Sequence, residues 1–231
     1  MKMNILKKII IIIFINLIFL VKLFAESSVT IFTGYQTAPH SNVQGFEKRI
    51  GQDDEFSFNF TAGWNGNSFS MPPYYGIRWT KWEGKNGWEI EFNHTKIYAD
   101  EETMTNSGFH ILQFTDGLNN LTINRTHRFE GSNFFHKKFF KFAYIGYGLG
   151  IIIPHVEVQT IEESSFSYGY QFGGPTGGVN FGLVIPYLEK IDIISEYRFT
   201  ASLLDIDLDH GGNLKSRVFT NALNFGIRYR Y

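Results

Sequence analysis

The chain ends in an alternating stretch that decides the fold, Leu223-Asn224-Phe225-Gly226-Ile227-Arg228-Tyr229-Arg230-Tyr231. Large apolar side chains occupy the odd positions, and small, polar or basic side chains occupy the even ones. Successive side chains of a β-strand point to opposite faces of the sheet, so this strand has one apolar and one polar face. A final alternating strand that ends on an aromatic residue is typical of bacterial outer-membrane barrels, whose apolar face meets lipid.

The same two-residue period recurs through the chain from about Ser28 onward. It is clear in Trp88-Glu89-Ile90-Glu91-Phe92-Asn93-His94, and residues 140–153 and 175–186 alternate large apolar residues with glycine or polar residues. The chain also contains 24 Phe, 12 Tyr and 4 Trp, which a transmembrane barrel uses for its aromatic girdles. We therefore predict an all-β fold, an eight-stranded antiparallel transmembrane β-barrel of the bacterial outer-membrane type.

Nine segments alternate, but bacterial barrels have an even number of strands. Placing the C-terminus in the periplasm puts short links there and long connections outside, so residues 38–73 become one long external loop with Phe56, Phe58 and Phe60 on a hairpin arm. In the alternative, residues 55–66 form the first strand and residues 28–37 a lid or plug. The predicted strands are 28–37, 74–83, 87–98, 118–130, 140–153, 175–186, 190–202 and 215–231.

Residues 1–25 have the pattern of a secretory signal peptide. A basic start is followed by the apolar run Ile9 to Val21 and by Ala25 before a plausible cleavage point. An uncleaved membrane anchor is the alternative, although the run is short for a span. We expect export to the bacterial outer membrane and a single barrel domain over residues 26–231.

Composition excludes several classes of function. The absence of cysteine excludes a disulfide scaffold, a thiolate metal site and a cysteine nucleophile. Four of the 21 basic residues lie in the predicted signal peptide, so the rest of the chain has 17 basic against 22 acidic groups, which disfavours a nucleic-acid partner. An eight-stranded barrel is filled by its own side chains, which disfavours a porin. We interpret the predicted inward-facing polar residues as a charge-paired lumen: Arg78, Glu89, Glu91, Asn93, Glu196 and Arg198.

Histidines gather at the predicted external rim. His40, His94, His155 and His210 map there, beside Asp116. Histidines and carboxylates at one rim are suitable ligands for a divalent metal with open positions. The alternative is a set of solvated surface histidines, because no HxH or HExxH motif is present.

His94 and Lys96 share the parity of Trp88, so both are predicted to point outward near the upper membrane interface. There Lys96 would contact a lipid phosphate. A serine hydrolase is not signalled, since His40-Ser41 are adjacent in sequence, and adjacency is not the geometry that a nucleophile and its base require.

At these residues the sequence resembles the outer-membrane lipid A oxidase family. The resemblance covers nearly all of residues 26–231, in order, and no single motif is diagnostic. The matching stretches are Gly34-Tyr35-Gln36-Thr37-Ala38-Pro39-His40-Ser41, Pro73-Tyr74-Tyr75-Gly76-Ile77-Arg78, residues 91–99, Gln113-Phe114-Thr115-Asp116-Gly117-Leu118-Asn119, residues 148–150 with Pro154-His155-Val156-Glu157-Val158, Tyr170-Gln171-Phe172-Gly173-Gly174-Pro175, Glu196-Tyr197 and Thr220-Asn221-Ala222-Leu223-Asn224.

The resemblance implies an oxidoreductase that acts on lipopolysaccharide. Its reaction is the O2-dependent oxidation of the proximal glucosamine of lipid A to 2-aminogluconate, with release of H2O2. A divalent transition metal is expected because dioxygen reacts poorly with a closed-shell hemiacetal. The site residues then predicted are His94 and Lys96 for catalysis, His40, His155, Glu157 and Asp116 for the metal, and Lys96, Tyr98 and Arg78 for substrate binding.

The expected partners are lipid A in the outer leaflet, the membrane itself and the barrel-assembly machinery, and we expect a monomer. Two other functions stay open at this point. One is a non-catalytic small barrel, an adhesin or structural protein, which would tolerate loss of the rim histidines. The other is a lipid A deacylase, which would remove an acyl chain without oxygen.

Overall fold

The computed structural model describes residues 26–48, 54–129, 141–161, 166–209 and 211–231, and the predicted signal peptide lies outside them. The described residues form one antiparallel sheet and a short helix. The elements are β1 (Ser27–Lys48), β2 (Glu55–Asn65), β3 (Tyr75–Glu83), β4 (Asn86–His94), β5 (Ile97–Ala99), α1 (Glu101–Asn106), β6 (Phe109–Phe114), β7 (Asn120–Phe129), β8 (Phe142–Ile152), β9 (His155–Thr160), β10 (Ser167–Tyr170), β11 (Gly174–Pro186), β12 (Ile191–Asp207) and β13 (Gly212–Arg230).

Eight of these strands close into a barrel. The ring runs β1-β3-β4-β7-β8-β11-β12-β13, and β13 pairs with β1 to complete it. Following paired residues once around the ring from Ser27 returns to β1 at Thr37. This stagger of ten residues requires the strands to tilt across the barrel axis. The predicted antiparallel eight-stranded barrel is confirmed.

The structure also decides which segment is the first barrel strand. Residues 28–37 lie in β1, between β13 and β3, whereas β2 pairs with the upper half of β1, as in Phe46 with Ser57. The alternative with residues 55–66 as the first strand is therefore wrong. β2 is the predicted external hairpin arm.

The outer face of the barrel is apolar, as the alternation predicts. Half or more of the surface of Ile31, Ile90, Ile123, Leu149 and Ile227 is exposed. A continuous exposed band of this kind is the surface that a barrel presents to lipid. Within the described residues, no helix has the length and apolarity needed to cross a bilayer.

The barrel interior contains a network of paired charges. Arg78 Nε lies 2.6 Å from Glu91 Oε2, and Arg78 Nη1 lies 2.8 Å from Glu196 Oε2. Arg198 contacts the same two carboxylates, and the Tyr144 hydroxyl donates to Glu196 Oε2 at 2.8 Å. Each buried charge thus has partners of opposite sign, which offsets the cost of taking it out of water. The predicted charge-paired lumen is confirmed for these residues.

Above the barrel, segments predicted as loops form a second packed layer, which we call the cap. It consists of the upper parts of β1, β12 and β13 together with β2, α1, β5, β6, β9 and β10. Asp205 N donates to Gly173 O at 2.8 Å, so β12 also contacts the segment after β10. The cap has its own apolar core, which includes Trp64, Phe109, Phe114, Val156, Ile206 and Leu214. The barrel interior thus combines the charge network with a separate buried cluster around Phe32, whereas the core of the cap is apolar.

Replacing Arg78 with alanine should destabilise the barrel by about 3 to 5 kcal/mol, because Glu91 and Glu196 lose a buried partner. Urea unfolding in detergent micelles, followed by tryptophan fluorescence, measures this difference. Ile77→Ala is the matched control, since Ile77 is the neighbouring residue and faces outward. Equal losses in the two variants would contradict a stabilising role for the network.

Candidate functional site

The site lies on the outer surface, at the outer ends of three barrel strands and the start of one cap strand. β4 ends at His94, β7 begins at Asn120, β8 ends at Ile152 and β9 begins at His155. A cavity of about 470 Å³ opens between these strand ends and the crossing loops. Its lining consists of Pro72, Tyr75, Phe92, His94, Asp116, Asn119, Ile153 and Tyr170.

The His94 ring is fixed by two neighbours. It stacks on Tyr75 with 5.0 Å between ring centroids, and its Nδ1 lies 2.9 Å from Asn119 Oδ1. The Asn119 amide nitrogen donates to the carbonyls of Asp116, Gly117 and Ile153, so its oxygen must face His94. An amide oxygen only accepts hydrogen bonds, so Nδ1 carries the proton and Nε2 is the basic nitrogen.

His94 Nε2 has no hydrogen-bond partner among the described residues, although it is buried. A buried nitrogen with a free lone pair is costly unless a ligand occupies it, so it is a functional candidate. It is placed to accept a proton or to coordinate a metal.

The loop under His94 depends on two residues with left-handed backbone. Gly117 has φ +89°, and a Cβ built on it would lie 2.6 Å from His94 Nδ1. Asn119 has φ +47°, a conformation that asparagine tolerates better than most residues. Leu118, fully buried between them, donates its backbone N–H to Thr95 O at 2.6 Å. The close approach of this loop is what presses Asn119 against His94.

His155 lies on the other side of Asp116. Its Nδ1 is 3.3 Å from Glu157 Oε1 and 3.8 Å from Asp116 Oδ2. Tyr168 and Tyr170 pack edge-on against the ring, each with a centroid distance of 4.7 Å. His155 Nδ1 is also buried without a directed hydrogen bond. The structure thus brings together three predicted site residues, His155, Asp116 and Glu157.

These residues do not form a metal cage as they are arranged. No group of three or more His, Asp or Glu side chains in the described ranges has the geometry to hold a metal ion. Both oxygens of Glu157 are taken, one by Gln113 Nε2 at 2.8 Å and one by the Thr115 hydroxyl. His40 lies apart and lines two other cavities with Lys215 or Asp100. The metal stays a prediction.

Lys96 differs from its predicted place. It was expected to face lipid, but β4 ends at His94 and the Lys96 side chain is fully buried. Its Nζ donates to Ser70 O at 2.8 Å and lies 5.5 Å from the Tyr98 ring. Burial lowers the pKa of Lys96, with Asp116 acting in the opposite sense. Burial also raises the pKa of Tyr98, and the charges of Glu157 and Asp116 raise it further.

Arg78, predicted to bind substrate, lies inside the barrel with 2% of its surface exposed, so a lipid outside cannot touch it. Conversely, the sequence prediction omitted Asn119 and Tyr75, which fix His94. Both lie in stretches that carry the family resemblance, but neither has a local signal such as a metal-ligand spacing.

No protein-family model and no curated protein matches the chain. Among solved structures, it is similar to surface protein A of Neisseria, with 11% identity over 90% of this chain and 99% of that one, TM-score 0.47. It is also similar to Ail, the attachment invasion locus protein of Yersinia pestis (12%, 88%, 100%, TM-score 0.31), and to the outer-membrane protease OmpT of Escherichia coli (8%, 90%, 98%, TM-score 0.31). These likenesses are too weak to inform the site, and the fold rests on the strand pairing above.

Lys96→Met should leave the melting temperature unchanged or higher, because it removes a buried ammonium group and keeps the side-chain volume. The folded protein holds the pKa of Lys96 below the ordinary value of 10.5, so the unfolded chain binds more protons just below that pH. The wild type should therefore gain stability relative to the variant as pH rises toward 10.5. Thermal unfolding followed by circular dichroism at several pH values measures this, with exposed Lys85→Met as control. A difference in melting temperature between the wild type and Lys96→Met that does not change with pH would contradict this prediction.

Proposed function

We propose that this chain is an outer-membrane enzyme that oxidises the proximal glucosamine of lipid A to 2-aminogluconate, with O2 as co-substrate and H2O2 as co-product. The observation that carries the proposal is His94, a residue that lines a cavity on the lipid-facing side of the barrel and whose buried Nε2 has no hydrogen-bond partner among the described residues. The resemblance to lipid A oxidases supports the choice of reaction. The proposed partners are lipopolysaccharide, the membrane and the barrel-assembly machinery, for a monomer exported by a cleaved signal peptide.

The height of the cavity suits a lipid headgroup. Trp88, Ile90 and Phe92 point outward along β4, and His94 follows on the same face at the end of the strand. The first three would contact acyl chains, so His94 would lie where a lipid sugar begins. Exposed apolar residues, Ile153 and Tyr170, border the same cavity and would hold the first acyl carbons.

The proposed chemistry balances without any group from the lumen. His94 Nε2 accepts the proton of the C1 hydroxyl, the C1–H bond breaks, and its two electrons pass to O2. The C1 proton and the proton held by His94 then complete H2O2, which returns His94 to its neutral form. The product lactone then takes up water and opens to 2-aminogluconate, a net gain of one oxygen. Asn119 holds the His94 tautomer, and the carboxylate of Asp116 stabilises the imidazolium that forms.

A divalent transition metal is part of the proposal, as the group that supplies one-electron steps to O2. The candidate ligands that lie together are His155, Asp116 and Glu157: His155 Nδ1 is 3.3 Å from Glu157 Oε1 and 3.8 Å from Asp116 Oδ2, and Glu157 accepts hydrogen bonds from Gln113 and Thr115. His40 is not part of this group. The electron transfer to O2 is the chemistry that such a metal would supply, whereas the proton transfer to His94 Nε2 does not depend on it; the side chains of the described residues, as arranged, do not form a cage.

A lipid A deacylase is a second candidate function for the external rim, and the contacts of its serine support it less well. Its nucleophile would have to be a serine within reach of a histidine. Ser41, adjacent to His40, instead hydrogen bonds with Ser216 Oγ at 3.0 Å and accepts from Trp64 Nε1 at 2.7 Å. If the protein were a non-catalytic barrel, the fixed orientation of the His94 ring and its Nε2, which is unpaired among the described residues, would have no functional explanation.

The first test is incubation of lipid A lacking the 1-phosphate with detergent-purified protein, in air and under argon, with and without chelator. Mass spectrometry should show a gain of one oxygen in air alone, with H2O2 in equal amount. His94→Gln and Asp116→Asn should lower the rate by about 100-fold or more, the scale of general acid–base catalysis. Loss of activity with chelator, restored by one added metal, would support the metal.

His110→Ala is the matched control, because His110 is an exposed histidine of the cap outside the cavity lining. It should retain wild-type activity. No oxidation in air by folded protein would refute the oxidase and favour a non-catalytic barrel, whereas loss of an acyl chain under argon would favour the deacylase.

Asn119→Asp tests the positioning of His94. A carboxylate beside Nδ1 would stabilise the imidazolium, so the acid limb of the kcat/KM profile should move to higher pH while the barrel stays folded. Measuring the profile from pH 5 to 9 separates this effect from a structural one. A uniform loss of rate at every pH would contradict the assignment of His94 as base.

A further inference from the structure

Across the ring from the His94 cavity, the barrel wall has a second opening. β1 and β13 are paired from Ser28 up to Thr37 and again from Val43, but the register shifts between them. Residues 38–42 of β1 face residues 217–220 of β13 without ladder pairing. β1 carries the extra residue, so the opening is a β-bulge, a device that redirects side chains at barrel rims.

A groove of about 530 Å³ occupies this opening. Its floor is fixed, because the Ser41 and Ser216 hydroxyls bridge the two strands at 3.0 Å and Trp64 Nε1 donates to Ser41 Oγ. The groove is lined by His40, Ser41, Asn42, Gln44, Leu203, Leu204, Asp205, Lys215, Ser216, Arg217 and Phe219.

The upper edge of the groove is basic. Arg217 and Lys215 are exposed on the outward face of β13, and His40 lies across the opening on β1. One carboxylate, Asp205, lies in the lining, and its Oδ2 is 3.1 Å from Lys215 Nζ. The cations therefore exceed the acids, and the Arg217 guanidinium has the fork geometry that binds phosphate through two parallel hydrogen bonds.

The lower edge is apolar. Leu203 is 54% exposed, and Phe199 stacks on Phe219 with 6.0 Å between ring centroids. Cations above and aromatic rings below make the groove amphipathic along the membrane normal. A soluble phosphate ester would use only its upper half.

The position of the groove along the strand places it at the headgroups. The outward residues of β13 from Tyr229 to Phe219 are largely apolar or aromatic, and a tilted strand of about 9 to 11 residues crosses the hydrocarbon layer. Arg217 is the next outward residue and the first charged one above this band. It therefore lies where basic side chains reach lipid phosphates.

We propose that this groove binds a phosphorylated lipid of the outer leaflet, with the phosphate on Arg217 and Lys215 and an acyl chain along Phe219 and Leu203. The site is independent of the proposed oxidation, because it lies across the barrel from His94. It would hold a lipid that is not turned over and so fix the height and rotation of the barrel in the membrane.

The test is native mass spectrometry of the detergent-purified protein, titrated with bisphosphorylated lipid A or with fully dephosphorylated lipid A. The wild type should retain the bisphosphorylated lipid at least about tenfold more strongly, and high salt should weaken binding. Arg217→Gln combined with Lys215→Gln should remove that preference. Lys85→Gln with Lys190→Gln, the same charge change in the periplasmic turns, should keep it, and so should His94→Gln.

Equal binding of the two lipids by the wild type, or an unchanged preference in the Arg217 and Lys215 double variant, would overturn the proposal. Inorganic phosphate at millimolar concentration is the competing probe. Complete displacement of the lipid by phosphate alone would make the groove a free-phosphate site, whereas persistence of the lipid supports contacts with its acyl chains. Loss of oxidase activity has no bearing on either outcome.

Discussion

Closure of the backbone ladder between β1 and β13 is the interaction on which the other features depend. Inside a bilayer there is no water to pair with N–H and C=O groups, so a sheet can span only if it has no open edge. The ring of eight strands meets this condition, and its ten-residue stagger fixes the tilt of every strand. Which residues face lipid, which face the lumen and where each strand ends at the surface all follow from this closure.

Closure also divides the interior into two chemically different parts. In the barrel, Arg78 and Arg198 share the carboxylates of Glu91 and Glu196 and pack against a cluster of buried aromatic and aliphatic side chains. In the cap, the inward positions are apolar and pack as an ordinary protein core around residues such as Phe114. The candidate site lies on the boundary, where strands stop and irregular backbone can bring side chains such as Asn119 and His155 to one cavity.

The barrel could be predicted from the sequence alone, because the two-residue alternation of apolar and polar side chains is a local property of each strand. The alternation from Trp88 to His94 predicts a strand with one lipid-facing side without any knowledge of its partner strands. The short links on the periplasmic side then determine the number of barrel strands. The cap escaped prediction because its strands are short and its pairing is between distant segments, as in Gln113 with Glu157. The alternation of side-chain direction also stops where a strand ends. Lys96, beyond the end of β4, is therefore buried, whereas His94, the last residue of the strand, lies on the predicted outer face. The hold of Asn119 on His94 depends on left-handed backbone at Gly117 and Asn119, which no periodicity reveals.

The cap core has a consequence for the order of folding. Its apolar residues come from eight separate strands of the described residues, from Ala38 near the beginning to Val218 near the end. Contacts between such distant segments are slow to form, because the chain must close long loops before burial repays the entropy. These segments must cross the membrane before they can meet, so the cap can condense only on the outer side, after the hairpins have inserted. The apolar core of the cap would then form last, and its burial would oppose the return of the strands through the bilayer.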